Sequence, residues 1–193
     1  LMATFANQER TMSSHKYPIY FALVCSSFIL AACQSTASSN NVQAEVKSVS
    51  SQGVGLAIGH VSFKDTPQGL LVQPQLSALP PGPHGFHIHA TPSCATANNA
   101  EGKLTAAQAA GGHLDPHNTG KHLGPQAHGH AGDLPLLQVA ANGTATTAVL
   151  APNLRLSDVR QRAIMVHAGS DNYSDQPQAL GGGGARIACG IIP

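Results

Sequence analysis

The sequence predicts an all-β domain of about eight short antiparallel strands in a sandwich or barrel, with two long loops given over to function. Three observations predict it. Apolar residues are 42% of 193 but fall in short or alternating runs, 20 Gly and 13 Pro punctuate them, and recognisable turn signals stand between them. In order, the runs are 42–49, 54–63, 70–76, 85–89, 134–140, 144–150, 163–167 and 186–192. Thr66-Pro67-Gln68-Gly69 separates the second run from the third, and Pro80-Pro81-Gly82-Pro83 leads into the fourth. Asn142-Gly143 lies between the fifth and sixth, a strong signal for a tight hairpin because both residues tolerate positive φ. Only 153–162 has the pattern of a short helix. The stretches 90–132 and 168–185 are too long for tight turns, and loops of that length in a compact domain usually carry function.

Charge narrows the classes further. Ten Lys and Arg against nine Asp and Glu leave +1, so no basic field exists to hold a nucleic-acid backbone. Residues 1–32 read as a secretory signal: a charge-free run over 17–32 follows His15 and Lys16 and ends in small residues, and it is shorter than the roughly 20 residues a membrane-spanning helix needs. The polar residues before it suggest that translation starts at Met12. The small polar stretch 34–41 reads as a flexible tether, and 42–193 as the domain. Without residues 1–32, which hold Arg10, Lys16 and Glu9, eight basic groups face eight acidic ones. Any attraction for an ion must then be local.

The chemistry lies in eleven His, more than Lys and Arg together. His87 and His89, two apart on an expected strand, present both rings on one face. His113, His122 and His130 with Asp133 gather three imidazoles and a carboxylate in one loop, a donor set suited to tetrahedral zinc. His167 ends the 163–167 run, with Asp171 four residues on. A solvated polar loop gains nothing from so many imidazoles, and this counts against a merely structural reading.

The strings GFHIH, GGHLDP, KHLGP, HAGDLP, MVHAGSDN and LGGGGARIACG occur in the order found in bacterial periplasmic Cu/Zn superoxide dismutases, and the domain resembles that family from about Val42 to Pro193. The resemblance implies an eight-stranded Greek-key sandwich or barrel. It implies one copper ion on His87, His89, His113 and His167, and one zinc ion on His113, His122, His130 and Asp133. Superoxide would be dismutated to O2 and H2O2 by alternating reduction and oxidation of copper, with His113 bridging the metals and supplying a proton. Asp171 would join a copper His to a zinc His, Arg186 would guide the anion, and Lys103 would help to steer it, whereas Gln178 stands near where some members carry a further lysine. Cys94 and Cys189 would form a disulfide.

Leu30-Ala31-Ala32-Cys33 resembles a lipobox of bacterial lipoproteins, which would lipidate Cys33 and anchor the chain to a membrane. Gln34, in place of an Asp that retains such proteins in an inner membrane, favours the outer one. The periplasm is the expected location; an ordinary signal with Cys33 left as a thiol is the alternative, and pairing into a homodimer stays open. His60, His84 and His117 match no ligand position and are expected in surface or hydrogen-bonding roles, while the His-x-Gly-Asp spacing selects His130 over His128. A metallo-β-lactamase-like zinc hydrolase would need Asp two residues after His89, and that residue is Thr91. The rival of another class is a non-catalytic copper- and zinc-binding envelope lipoprotein on the same scaffold.

Overall fold

The computed structural model describes residues 41–193. The expected signal, Met12, Cys33 and all but the last residue of the tether lie outside the described residues.

Strands β1 (Asn41–Ser50), β2 (Gly53–Thr66) and β3 (Gly69–Leu76) form a meander. Short strands β4 (Gly82–His84) and β5 (Phe86–His89) follow, then a small hairpin of β6 (Ala97–Asn98) and β7 (Leu104–Thr105). Strands β8 (Leu137–Val139) and β9 (Val149–Ala151), a single helical turn α1 (Leu156–Val159), β10 (Ala163–His167) and β11 (Arg186–Ile191) complete the chain. The main sheet has seven antiparallel strands in the order β5-β10-β11-β1-β2-β3-β9, and β4 pairs with β8 in a second sheet. A bridge from Leu76 to Ala145 ties the end of β3 to the β8 hairpin, whose Asn142-Gly143 turn closes with a bond from the Ala140 N–H to the Thr144 carbonyl. The sheet therefore curls into the expected antiparallel barrel-like fold.

Period-two alternation fills its interior. On β3, Leu70, Val72, Pro74 and Leu76 are buried, and Pro74 stands past the residues that pair with β9, where a missing N–H breaks no ladder bond. Phe86 and Ile88 on β5 and Ile164 and Val166 on β10 enter the same core as Phe63, Leu134 and Ile192. Burying a side chain of this kind contributes about 1.5–3 kcal/mol. Every residue of β5 and β10 is nonetheless buried, because the long loops cover the outer face of these strands. Met165 lies there with Ala107, Ala110 and Cys189 in a smaller apolar cluster.

The sixth expected strand contracts most. Of 144–150, only Val149 and Leu150 enter a ladder, and the fifth keeps three residues because Leu134 bonds instead to the Phe86 carbonyl beside the site. The 90–132 stretch also contains structure that its composition hid, the β6–β7 hairpin and a 3-10 turn over Gln108–Ala110.

Candidate metal centre

The alternation that sends Phe86 and Ile88 inward sends His87 and His89 outward, and on the neighbouring strand it does the same to His167. The free edge of β5 is then paired by loop backbone. Leu114 donates to the Ile88 carbonyl, Ile88 to Gly132 and Leu134 to Phe86, so His113 comes to lie opposite His89 and Asp133 opposite His87. Gly132 is required there: a Cβ would sit 2.2 Å from the Ile88 carbonyl oxygen.

Two groups of donor atoms result, each with all its members within 4.8 Å of one another: His87, His89, His113 and His167, and His87, His113, His122 and Asp133. In the first group the second ring nitrogen of each strand-borne His is committed elsewhere. His87 Nε2 donates to Asp171 Oδ2 (2.7 Å), His89 Nδ1 to the Gly111 carbonyl (2.9 Å) and His167 Nδ1 to the Gly184 carbonyl (3.1 Å). Those bonds fix the tautomers and leave His87 Nδ1, His89 Nε2 and His167 Nε2 with lone pairs facing a common point; the latter two are 3.3 Å apart. His113 offers Nε2 to this group and turns Nδ1 toward Asp133 Oδ1 at 2.9 Å.

On the other side, His122 Nδ1 lies 3.0 Å from Asp133 Oδ2, and its Nε2 donates to Asp171 Oδ1 at 2.8 Å. Asp171 thus spans His87 and His122. His130 approaches from farther out, its Nδ1 3.6 Å from Asp133 Oδ1. His87 Nδ1, His113 Nε2, His122 Nδ1 and His130 Nδ1 are all buried without a hydrogen-bond partner. An unsatisfied buried nitrogen is costly, and those of His87, His113 and His122, which belong to the donor groups, fit metal ions as the missing partners. Imidazole nitrogens suit copper or zinc, and three imidazoles with a carboxylate suit zinc.

The electrostatics separate the sides. Burial, reinforced by neighbouring imidazoles, lowers the pKa of His113 to about 4 and that of His167 to about 3, and burial with the charges of His113 and Arg186 holds His89 well below the ordinary imidazole value. For His122 burial is outweighed by the adjacent Asp133 and Asp171 carboxylates, which raise it to about 9. Both carboxyls stay far below the carboxylate range, because the bonds from their His partners overcome the opposing effect of burial.

His89, His113, His167 and Arg186 line a cleft of about 250 Å³ beside the first group, with Leu180 on its rim. The Arg186 guanidinium is fixed by bonds of 2.6 Å from Nη1 to the Ala107 carbonyl and from Nη2 to the Gly111 carbonyl, the latter also the acceptor for His89. Cys94 and Cys189 are joined, Cα–Cα 5.7 Å, across 95 residues of chain, pinning the first long loop to β11 next to Arg186. In the chain-entropy model a loop of that length contributes about 4–5 kcal/mol. Lys103 is exposed on the β6–β7 hairpin, two residues before Thr105 in the cleft wall, and is not itself part of that wall. Exposed Gln178 lines a separate hollow with Asp171 and Gly182.

Matches to known proteins follow the same boundaries. The family described as copper/zinc superoxide dismutase matches residues 57–192. The chain belongs to that family. It is 58% identical over 149 residues to the Cu-Zn superoxide dismutase of Escherichia coli K12, an alignment spanning 77% of this chain and 86% of that protein. To superoxide dismutase [Cu-Zn] 2 of Salmonella typhimurium LT2 it is 54% identical over 165 residues, 85% of this chain and 94% of the other. The solved Cu/Zn superoxide dismutase from Brucella abortus superposes with a TM-score of 0.77 at 47% identity, over 79% of this chain and 99% of that one. A copper/zinc centre fits such donor sets; the second group holds His87 in the place where the resemblance implies His130, which stands farther out.

Other residues were not legible as part of it. The carbonyls of Gly111 and Gly184 leave no sequence signal, being backbone. Asp175 accepts the His122 backbone N–H at 2.9 Å and carries no motif that announces this. His84, expected in a hydrogen-bonding role, is buried with its ring nitrogens 2.8 Å from the carbonyls of His167 and Pro80. His128 is exposed, whereas His130 is half-buried, its Nδ1 3.6 Å from Asp133 Oδ1.

Proposed function

We propose that this domain dismutates superoxide to O2 and H2O2 in the cell envelope, with His87, His89, His113 and His167 holding copper and His113, His122, His130 and Asp133 holding zinc. The observation that carries the reading is His113: Nε2 is buried without a partner toward the first group, while Nδ1 faces the carboxylate of the second. Copper, when bound, supplies the alternating electron acceptor and donor that two successive superoxide anions require, and zinc, which has no redox chemistry, supplies fixed charge.

The protein's own residues do the rest. Arg186 presents its guanidinium in the cleft, already fixed by two carbonyls, and draws a small anion toward His89, His113 and His167. His113 lines the same cleft, and its Nε2 is the atom where a proton for the nascent peroxide is held and released. Asp171 keeps His87 and His122 in one tautomer each, so their other nitrogens stay available as ligands. Lys103, exposed on the hairpin outside the cleft wall, adds positive charge that an approaching anion feels before it reaches Arg186.

Export agrees with the chain's pattern: a signal over 1–32, a lipid on Cys33, a tether to Asn41, and a disulfide suited to an oxidising compartment. Purified domain is expected to carry one copper and one zinc per chain and to remove superoxide. Full metal content without superoxide removal would establish the buffering lipoprotein instead. Cys33→Ser should shift the protein from the membrane to the soluble envelope fraction at unchanged activity; retention in the membrane would refute the lipid anchor.

A further inference from the structure

One short segment grips the zinc-side His122 at both ends. Asp171 Oδ1 accepts from its ring, and four residues later Asp175 Oδ2 accepts from its backbone N–H at 2.9 Å. The other oxygen of Asp175 is not idle: Oδ1 accepts the backbone N–H of Leu180 at 3.1 Å. Leu180 lines the cleft that holds His113, His167 and Arg186. A single carboxylate thus joins the main chain of a zinc-side ligand in the first long loop to the cleft wall in the second.

The segment between the two carboxylates is braced. Tyr173 donates its N–H to Asp171 Oδ1 (2.7 Å), Ser174 to Asn172 Oδ1 (3.0 Å), and Gly181 to the Ser174 carbonyl (2.9 Å). The Tyr173 hydroxyl accepts the Leu136 N–H at 3.0 Å, tying the segment to the barrel just before β8. The segment between the two carboxylates is thus held at several points, with Asp175 as its contact to both His122 and Leu180.

We infer that Asp175 is a positioning residue that makes the wall of the substrate cleft depend on the zinc side, by holding the His122 and Leu180 amides on one carboxylate. The inference rests on the dismutase reading for the identity of the cleft, while its test does not require turnover. Two backbone donors demand two acceptor oxygens. Asn at 175 keeps one and turns an NH2 group toward the other donor, whereas Glu keeps both on a longer arm.

The test uses the copper- and zinc-loaded protein and the variants Asp175→Asn and Asp175→Glu. Zinc affinity is read by chelator competition, and the zinc-side geometry by the absorption spectrum of cobalt placed there. The cleft is read by the affinity of azide for copper. Asp175→Asn should weaken zinc about tenfold or more, the usual cost of losing a partner that orients a ligand, alter the cobalt spectrum and change azide affinity severalfold. Copper content should stay full, and Asp175→Glu should recover part of each effect. In the wild type, zinc removal with copper retained should lower hydrogen-exchange protection of the His122 and Leu180 amides together, a measurement that needs no variant. Unchanged azide affinity in Asp175→Asn, or a Leu180 amide indifferent to zinc, overturns the coupling. Loss of superoxide removal alone, with these readouts as expected, would count against the dismutase reading and leave the coupling standing.

Discussion

His87, His89 and His167 ride on strands whose alternate residues fill the barrel core, whereas His122, His130 and Asp133 stand on a loop shaped by hydrogen bonds to the edge of β5 and to the second long loop. On the strand side, Phe86, Ile88, Ile164 and Val166 fix the backbone from beneath, and burial keeps the imidazoles of His89 and His167 neutral. On the loop side two carboxylates are needed to orient His122, and they charge it as they do so. The strand-borne half, proposed for copper, is in this sense prefabricated by packing, and the loop-borne half, proposed for zinc, is assembled by electrostatics. His113 belongs to both, carried by a loop but laid against the edge of β5.

Breaking that shared residue should have the largest effect. His113→Ala removes a donor from both groups, so superoxide removal should fall more than about a hundredfold, beyond the 10–100-fold typical of losing an outer partner, and the visible copper spectrum should change. The barrel should remain, because His113 contributes nothing to its core: circular dichroism of the variant should match the wild type. An unchanged spectrum and rate would mean that copper is held by other residues.

Next in size is the cleft between the halves. The described domain carries eight basic and eight acidic groups, so no global field draws in an anion and steering must be local. Charge in a cleft raises encounter rates by about 10 to 10³-fold, a range in which superoxide dismutases are themselves counted, and salt screens it over about 10 Å at 0.1 M. Arg186→Ala should lower kcat/KM about tenfold, the low end of that range. Arg186→Lys should recover part, since it keeps the charge but loses the planar fork. Lys103→Ala, changing an exposed side chain outside the cleft wall, should cost less and chiefly flatten the dependence on ionic strength. The rate against salt for the three variants, each with verified metal content, decides the assignment: a full rate and unchanged slope in Arg186→Ala would remove it from that role.

The two halves also differ in how far the sequence announced them. Alternation in 85–89 was enough to put His87 and His89 on one face, because period two is a local property of any strand. That His113 would meet His89 was not local: it depends on 113–114 and 132–134 pairing with β5, over a Gly132 that lets the backbones approach. The strand-like patterning of 144–150 was largely overridden: Ala145 makes a single bridge to Leu76, and only Val149 and Leu150 enter the ladder with β3. Asp175 was invisible for the same reason as the Gly111 and Gly184 carbonyls. Its acceptors find donors 53 and 5 residues away only once both long loops are in place.

The smallest expected effect, and the most direct probe of the contrast, is the proton count of the metal-free domain. His122 is raised from 6.5 to about 9, so its contribution to stability is complete below pH 6.5 and is lost as pH rises through 9. His113 and His167 are lowered to about 4 and 3; between those values and 6.5 the unfolded chain binds protons that the fold refuses, so stability falls as pH drops below 6.5. Asp133 and Asp171, depressed in the fold, add a further loss on the acid side below their unfolded value of 3.8. Tm of the metal-free domain should therefore peak near pH 6.5 and decline on both flanks. Zinc removes only the alkaline flank, because a bound His122 must already be neutral. At pH 7 zinc loading should accordingly release about one proton from His122, whereas the nitrogens of His89 and His167 have none to give to copper. Titration calorimetry in two buffers of different ionisation enthalpy counts these protons. Zinc binding with no proton release at pH 7 would show that the carboxylates do not charge His122, and the electrostatic half of the comparison would fail.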